Sequence, residues 1–395
     1  MNGSFSFHGT IPAAKAMLNR FLLMSSHARG NFQIEGDSRC DDVLRMREGL
    51  DALRAHQPIN GGEAAAVFRF LALKAARLPG RHLLMGSSRL LNRPHAPLIS
   101  ILEQLGCTAT ITHGHQSVLM IESDGWRRPK GPLKIDASFS SQFASAVILN
   151  AWELSYPVEL YLTPAPVSAG YLDLTIQLAR TCGMRVSRLD DDRIWIHENN
   201  RVRSGTYRAE IDLSSAFAVA ALAAIAGRAD ISDFPQESLQ PDRIFPDLLT
   251  RLGAHVQIQE GTLRIQKGTY LTSIESSLGS TPDLFPVLAV LAALADGESL
   301  LHGAPQLVYK ESNRIEKVSE LIRLMGREVT LRDDGLVIHG CITNRKLLPI
   351  GFDPADDHRL AFAAAVARRA GCPITLTHPE VVNKSFPEFW DIANA

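Results

Sequence analysis

The chain is poor in the features that mark several large protein classes. Its five cysteines (Cys40, Cys107, Cys182, Cys341 and Cys372) are scattered over 395 residues, with no CxxC pair. An odd, dispersed set argues against a disulfide framework or a zinc ribbon and fits reduced thiols in a cytosolic protein. The thirteen histidines form no HExxH, and the nearest cluster, His113-Gly114-His115, reads as a loop, so no metal is expected. An excess of one charge is also missing. Lysines and arginines total 41 against 42 acids, which argues against a nucleic-acid binder. The longest apolar run, near residues 285–295, is too short to span a bilayer. Residues 1–7 carry no basic segment leading into an apolar one, so no signal peptide is expected and the cytoplasm is the expected location.

What the chain does have is 45% apolar and 21% charged residues, enough for two globular domains. It is also internally repetitive. An Ala-rich, all-round apolar helix feeding a strand recurs six times, starting near Met17, Ala64, Ser141, Ser214, Asp283 and His358. The clearest examples are helices over 141–154, 214–226 and 283–295, followed by strands over 158–162, 229–232 and 299–302. Helices without a polar face belong inside. A second element is an amphipathic helix closed by a glycine turn and a strand, over 99–111, 174–187, 245–258 and 318–331. Glycine at the helix C′ position accounts for the turn. Residues 41–55 and 386–393 are read as degenerate members of the same series. The expected class is α/β, with six βαβ-type units of about 70 residues, three per domain. The expected division is 1–11 plus 212–395 against 12–211, with crossings at Ile11-Pro12 and in the polar stretch 205–212.

Chemistry gathers where the buried helices begin. Helix N-termini carry unsatisfied N–H groups and partial positive charge, and several such starts could form a phosphate site. The starts here are polar: Ser140-Ser141-Gln142, Asp212-Leu213-Ser214-Ser215, Thr281-Pro282-Asp283 and Asp356-Asp357-His358. N-capping explains some of them, but Gln142 adds a donor that capping does not need. Cations lie nearby in short clusters: Lys15 and Arg20, Arg69, Arg89 and Arg93, Lys310 and Arg314, Arg359, and Lys384. Arg69, inside an apolar helix, is read as a tie to Glu63 or another acid. Fields of Arg and Lys with a few carboxylates suit a small polyanionic substrate and proton transfer.

These residues resemble the 5-enolpyruvylshikimate-3-phosphate (EPSP) synthases of the enolpyruvyl transferase family. The motifs run in order over nearly the whole length: Lys15…Asn19-Arg20, Gly62…Arg69, Arg93-Pro94, Ser140-Ser141-Gln142, Ser168…Tyr171, Asp283, Lys310-Glu311…Arg314, Asp357-His358-Arg359 and Lys384…Phe386-Pro387. The resemblance implies a two-domain inverse α/β barrel that closes like a clamshell. It also implies transfer of the enolpyruvyl group of phosphoenolpyruvate to the 5-hydroxyl of shikimate 3-phosphate, by a monomer with no cofactor and no nucleic-acid or membrane partner. By position, Lys15, Arg20, Ser140, Ser141, Gln142, Ser168, Tyr171, Asp283, Gln306 and Lys310 would bind shikimate 3-phosphate. Lys15, Arg93, Gln142, Arg314, Arg359 and Lys384 would bind phosphoenolpyruvate. Lys15, Asp283, Glu311 and Lys384 would be catalytic, with Asp283 taking the hydroxyl proton and Glu311 or a lysine protonating the methylene carbon.

The chain departs from the family pattern near its N-terminus. Pro12-Ala13-Ala14-Lys15-Ala16 stands where the family usually has Pro-Gly-Ser-Lys-Ser, and Ala65-Ala66 where it has Gly-Thr. Ala16 removes a hydroxyl from the shikimate side. A methyl at Ala65 is expected to crowd phosphoenolpyruvate and weaken glyphosate binding. Gln306 and Asn313 replace the usual Asn and Asp. These changes leave open a paralogue with a changed shikimate-like acceptor, or a non-catalytic ligand-binding relative. A UDP-N-acetylglucosamine enolpyruvyl transferase is disfavoured, because the loop before Arg93-Pro94 holds no cysteine.

Overall fold

The computed structural model describes residues 4–112, 117–340 and 349–394. His113-Gly114-His115 and Cys341 lie outside them. The chain forms two compact units, Met1–Ala14 with Glu210–Ala395, and Lys15–Ala209. The expected break points were 11/12 and 211/212.

In the first unit three inner helices, Leu213–Ala226, Phe285–Leu294 and His358–Arg369, pack on one another. Their alanines let the backbones approach, and their apolar surface is buried all round, as the sequence implied. Two four-stranded sheets and one two-stranded sheet cover them. The first sheet begins with Phe5–Gly9 parallel to Gly227–Ile231, and the second with Glu275–Ser277 parallel to Gly297–His302. Each then adds two antiparallel strands, Thr262–Gln266 with His255–Gln259, and Gly335–Gly340 with Glu328–Arg332. The third sheet pairs Ile350–Phe352 with Ile374–Leu376 in parallel.

The second unit repeats the plan. Its inner helices are Lys15–Ser25, Ala65–Ala75 and Gln142–Asn150. Parallel pairs Ile59–Asn60 with Pro79–Met85, and Leu133–Ile135 with Val158–Leu162, open its four-stranded sheets. Phe32–Glu35 and Gly205–Arg208 form the parallel two-stranded sheet.

The amphipathic outer helices end alike. Gly106, Gly183, Gly253 and Gly326 all have left-handed φ between 74° and 105°. The N–H of the next residue reaches back five positions, as from Cys107 to Leu102 O (2.9 Å) and from Arg327 to Ile322 O (3.2 Å). This is a Schellman closure, repeated four times by the same residue type.

Two expected boundaries shift. The 141–154 helix stops at Asn150, whose Nδ2 donates to Phe70 O and Ala146 O, while the N–H of Ala151 bonds Ile148 O in a tightened last turn. The 283–295 helix begins at Phe285, leaving Asp283 in the turn before it.

Candidate active site

In the first unit the three C-terminal charge clusters meet around Arg314, the first residue of the outer helix Arg314–Leu324. Its guanidinium is 1% exposed and touches three carboxylates. Nε donates to Asp357 Oδ2 (2.8 Å), Nη2 to Asp357 Oδ1 (3.2 Å) and to Glu311 Oε2 (3.1 Å), and Nη1 to Asp283 Oδ1 (2.8 Å). Arg359 Nη2 donates to the other Asp283 oxygen at 3.3 Å, and Lys384 Nζ lies 3.4 Å from Glu311 Oε1. Both expected catalytic carboxylates therefore sit in one network with three of the expected phosphoenolpyruvate cations.

Local structure explains the placement. Asp357 N-caps His358–Arg369, accepting from the Arg359 N–H at 3.0 Å, and also accepts from Ser312 Oγ at 3.2 Å. Asp283 occupies the turn before Phe285–Leu294, where carboxylates are favoured. Gln306 is buried in the 3-10 turn Pro305–Tyr309 and donates to Gly279 O at 2.8 Å; Lys310 follows that turn.

The charges in this network act directly on one another. Burial alone would raise the Asp283 carboxyl. Arg359, Arg314 and Lys310 outweigh that and hold it well below the usual carboxylate range. Burial likewise disfavours charge on Arg314, but Asp357, Asp283 and Glu311 reverse the effect and fix it as a cation. The acids keep the arginines charged, dry and aimed.

In the second unit Lys15 begins its inner helix and pairs with Asp42 at 2.8 Å, both largely buried. Arg20, one turn on, donates from Nε to Thr175 Oγ1 (2.8 Å), from Nη1 to Ala16 O (2.7 Å) and from Nη2 to Tyr171 O (3.1 Å). Burial lowers its pKa to about 10, against an opposing effect of Tyr171, so it stays a cation at neutral pH. Among the described residues these contacts engage three of its five N–H donors.

The Ser140–Gln142 turn and Ser168 converge. Ser141 Oγ donates to Ser168 O (3.1 Å), and the N–H of Gln142 bonds Ser140 Oγ (3.2 Å). Ser168 is left-handed (φ 55°) at the start of Ala169–Thr181, the helix that carries Tyr171. Arg69 reaches Gln142 Oε1 (2.8 Å) and Pro94 O (3.3 Å) over the Phe143 ring, while Glu63 pairs with Arg89 at 2.9 Å. Arg69 thus orients Gln142 and braces the Arg93-Pro94 turn. Ala65, the departure from the family's glycine, is buried at the first position of Ala65–Ala75.

Sequence reasoning missed Asp42 and the second role of Asp357. The capping position of Asp357 was legible; its partner 43 residues away was not. Among the described residues no group of three metal-ligating side chains occurs, and no helix is long and apolar enough to cross a membrane.

Solved structures place this architecture. The chain superposes over its full length on an EPSP synthase from Acinetobacter baumannii, covering 96% of that chain with a TM-score of 0.74 and 22% identity. It covers 95% of the enolpyruvyl transferase NikO from Streptomyces tendae, with a TM-score of 0.71 and 15% identity. The fold is that of the enolpyruvyl transferases.

Sequence likeness goes further. The family described as EPSP synthase (3-phosphoshikimate 1-carboxyvinyltransferase) matches residues 54–392. Proteins named 3-phosphoshikimate 1-carboxyvinyltransferase from Dehalococcoides mccartyi and Methanoculleus marisnigri are each 32% identical, over 96% of this chain and 93% and 94% of their own. The chain belongs to the EPSP synthase family.

Proposed function

We propose that the chain is a 3-phosphoshikimate 1-carboxyvinyltransferase, which transfers the enolpyruvyl group of phosphoenolpyruvate to the 5-hydroxyl of shikimate 3-phosphate and releases phosphate. The observation that carries this reading is the Arg314 network, with Asp283 and Glu311 held among Arg314, Arg359 and Lys384 in a member of this family.

The two substrates bring two phosphates and two carboxylates, roughly five negative charges. In the first unit we assign Arg314, Arg359 and Lys384 to phosphoenolpyruvate. In the second we assign Ser140, Ser141, Gln142, Ser168, Tyr171 and Arg20 to shikimate 3-phosphate, with Lys15 and Arg93 supplying further positive charge.

In the addition step the 5-hydroxyl oxygen bonds to C2 of phosphoenolpyruvate, its proton passes to Asp283, and Glu311 or Lys384 protonates the methylene carbon. In the elimination step the tetrahedral adduct loses phosphate, and one methyl proton returns to the base. The network suits a base whose proton affinity responds to the substrate. An anionic substrate that takes over Arg359 and Arg314 removes the cause of Asp283's low proton affinity, so Asp283 becomes a better base once the substrate is bound.

The departure at Ala16 favours a second reading, a changed acceptor. Ala16 offers no hydroxyl, and its carbonyl is taken by Arg20. Phosphate release with phosphoenolpyruvate plus either shikimate 3-phosphate or unphosphorylated shikimate separates the two. Release only with the first supports the main reading, and release only with the second replaces it.

A further inference from the structure

Lys74 lies near the end of the inner helix Ala65–Ala75, half-buried, and no step of the proposed reaction uses it. Its Nζ donates to Ser26 O (3.3 Å) and lies 3.1 Å from His27 Nε2. His27 Nε2 is also 3.2 Å from Asn150 Oδ1. The Asn150 amide can face only one way, because its Nδ2 donates to two carbonyls, Phe70 O (3.1 Å) and Ala146 O (2.9 Å). Oδ1 is therefore an acceptor, and His27 Nε2 must carry the hydrogen. A protonated Nε2 has no lone pair to offer an ammonium. The 3.1 Å contact is then accommodated when Lys74 is a neutral amine, whose lone pair shares the single Nε2 hydrogen with Asn150 Oδ1 while one of its N–H groups lies on Ser26 O.

The surroundings agree. Arg77, whose Nη1 donates to Asn150 O and to Trp152 O (2.8 Å), and Arg54 add positive charge; Glu153, the opposing acid, is paired with Arg29 at 2.6 Å. Burial, then Arg77 and Arg54, lower Lys74 to about 7 against the pull of Glu153. Burial, with the positive charge of Arg77 adding to it, keeps His27 well below its ordinary value, hence neutral.

We propose that Lys74 is a nucleophilic amine and the site at which small acyl phosphates acylate this chain. The cationic surroundings attract the phosphate. The amine nitrogen attacks the acyl carbon, the C–N bond forms, the C–O bond to phosphate breaks, and the nitrogen's proton passes to water. The product amide is uncharged, like the amine it replaces, and keeps one N–H for Ser26 O. Neutral goes to neutral beside Arg77, so no buried charge pair is broken.

The test incubates the intact protein with acetyl phosphate at pH 7 and measures acetylation at each lysine by peptide mass spectrometry. Lys130, Lys134 and Lys267 are exposed references. An amine titrating near 7 rather than near 10.4 has roughly a thousand-fold larger neutral fraction at pH 7. Lys74 should therefore label at least about ten-fold faster than the references, with its rate levelling off above pH 8 while theirs keeps rising. The advantage should vanish in denaturant. Labelling of Lys74 no faster than the references, or a rate at Lys74 that rises with theirs to pH 10, overturns the proposal.

Discussion

Asp357 has no solvent exposure, and four groups donate to it: Arg314 Nε and Nη2, Ser312 Oγ and the Arg359 N–H. One carboxylate therefore starts a helix and aims the Arg314 guanidinium. Asp357→Asn keeps an oxygen for the cap but turns an amide N–H toward a guanidinium. Breaking a buried charge pair costs about 3–5 kcal/mol. We expect a lower melting temperature and a phosphoenolpyruvate KM raised about ten-fold or more, with the shikimate 3-phosphate KM little changed, as read by steady-state kinetics. Asp283→Ala should instead lower kcat by orders of magnitude and move KM little; a pure KM effect would make Asp283 a binding residue. The members of the Arg314 network were candidates in the sequence because each lies in a short polar cluster beside an apolar run. The pairings were not legible, since Lys15–Asp42 and Arg314–Asp357 span 27 and 43 residues that only the fold brings together.

At the scale of elements, the residues we assign to the reaction gather where inner helices begin. Asp283 and Asp357 precede two of them and Lys15 opens a third, so helix N-termini set the geometry of both clusters. The inner helices were legible because residues apolar on every side leave no other place to go. The glycine turns were legible because four outer helices need the same left-handed residue. Less legible was the join of Phe5–Gly9 to Gly227–Ile231, a parallel pairing across more than 200 residues. There a Cβ on Gly227 would lie 2.0 Å from Phe5 O, so the strands can approach only with glycine. Gly227→Ala should destabilise the first unit by about 1–3 kcal/mol, the usual cost of overpacking, and should raise proteolysis near the N-terminus. An unchanged denaturant midpoint and cleavage pattern would show that the strand contributes little.

For the whole molecule, each unit carries a charged cluster of its own, and the overall charge balance conceals both. Three acids offset three cations around Arg314, so the chain's formal net charge of −1 gives no hint of a polyanion site. Family membership and this cluster lead to one reaction, and Ala16 and Ala65 are the departures we propose to bear on its acceptor and its crowding. The most direct measurement is phosphate release from phosphoenolpyruvate with shikimate 3-phosphate, run beside unphosphorylated shikimate and beside Asp283→Ala. The account predicts phosphate release with shikimate 3-phosphate alone, and near loss of turnover in the variant. No release with either acceptor, or release only with unphosphorylated shikimate, would contradict it.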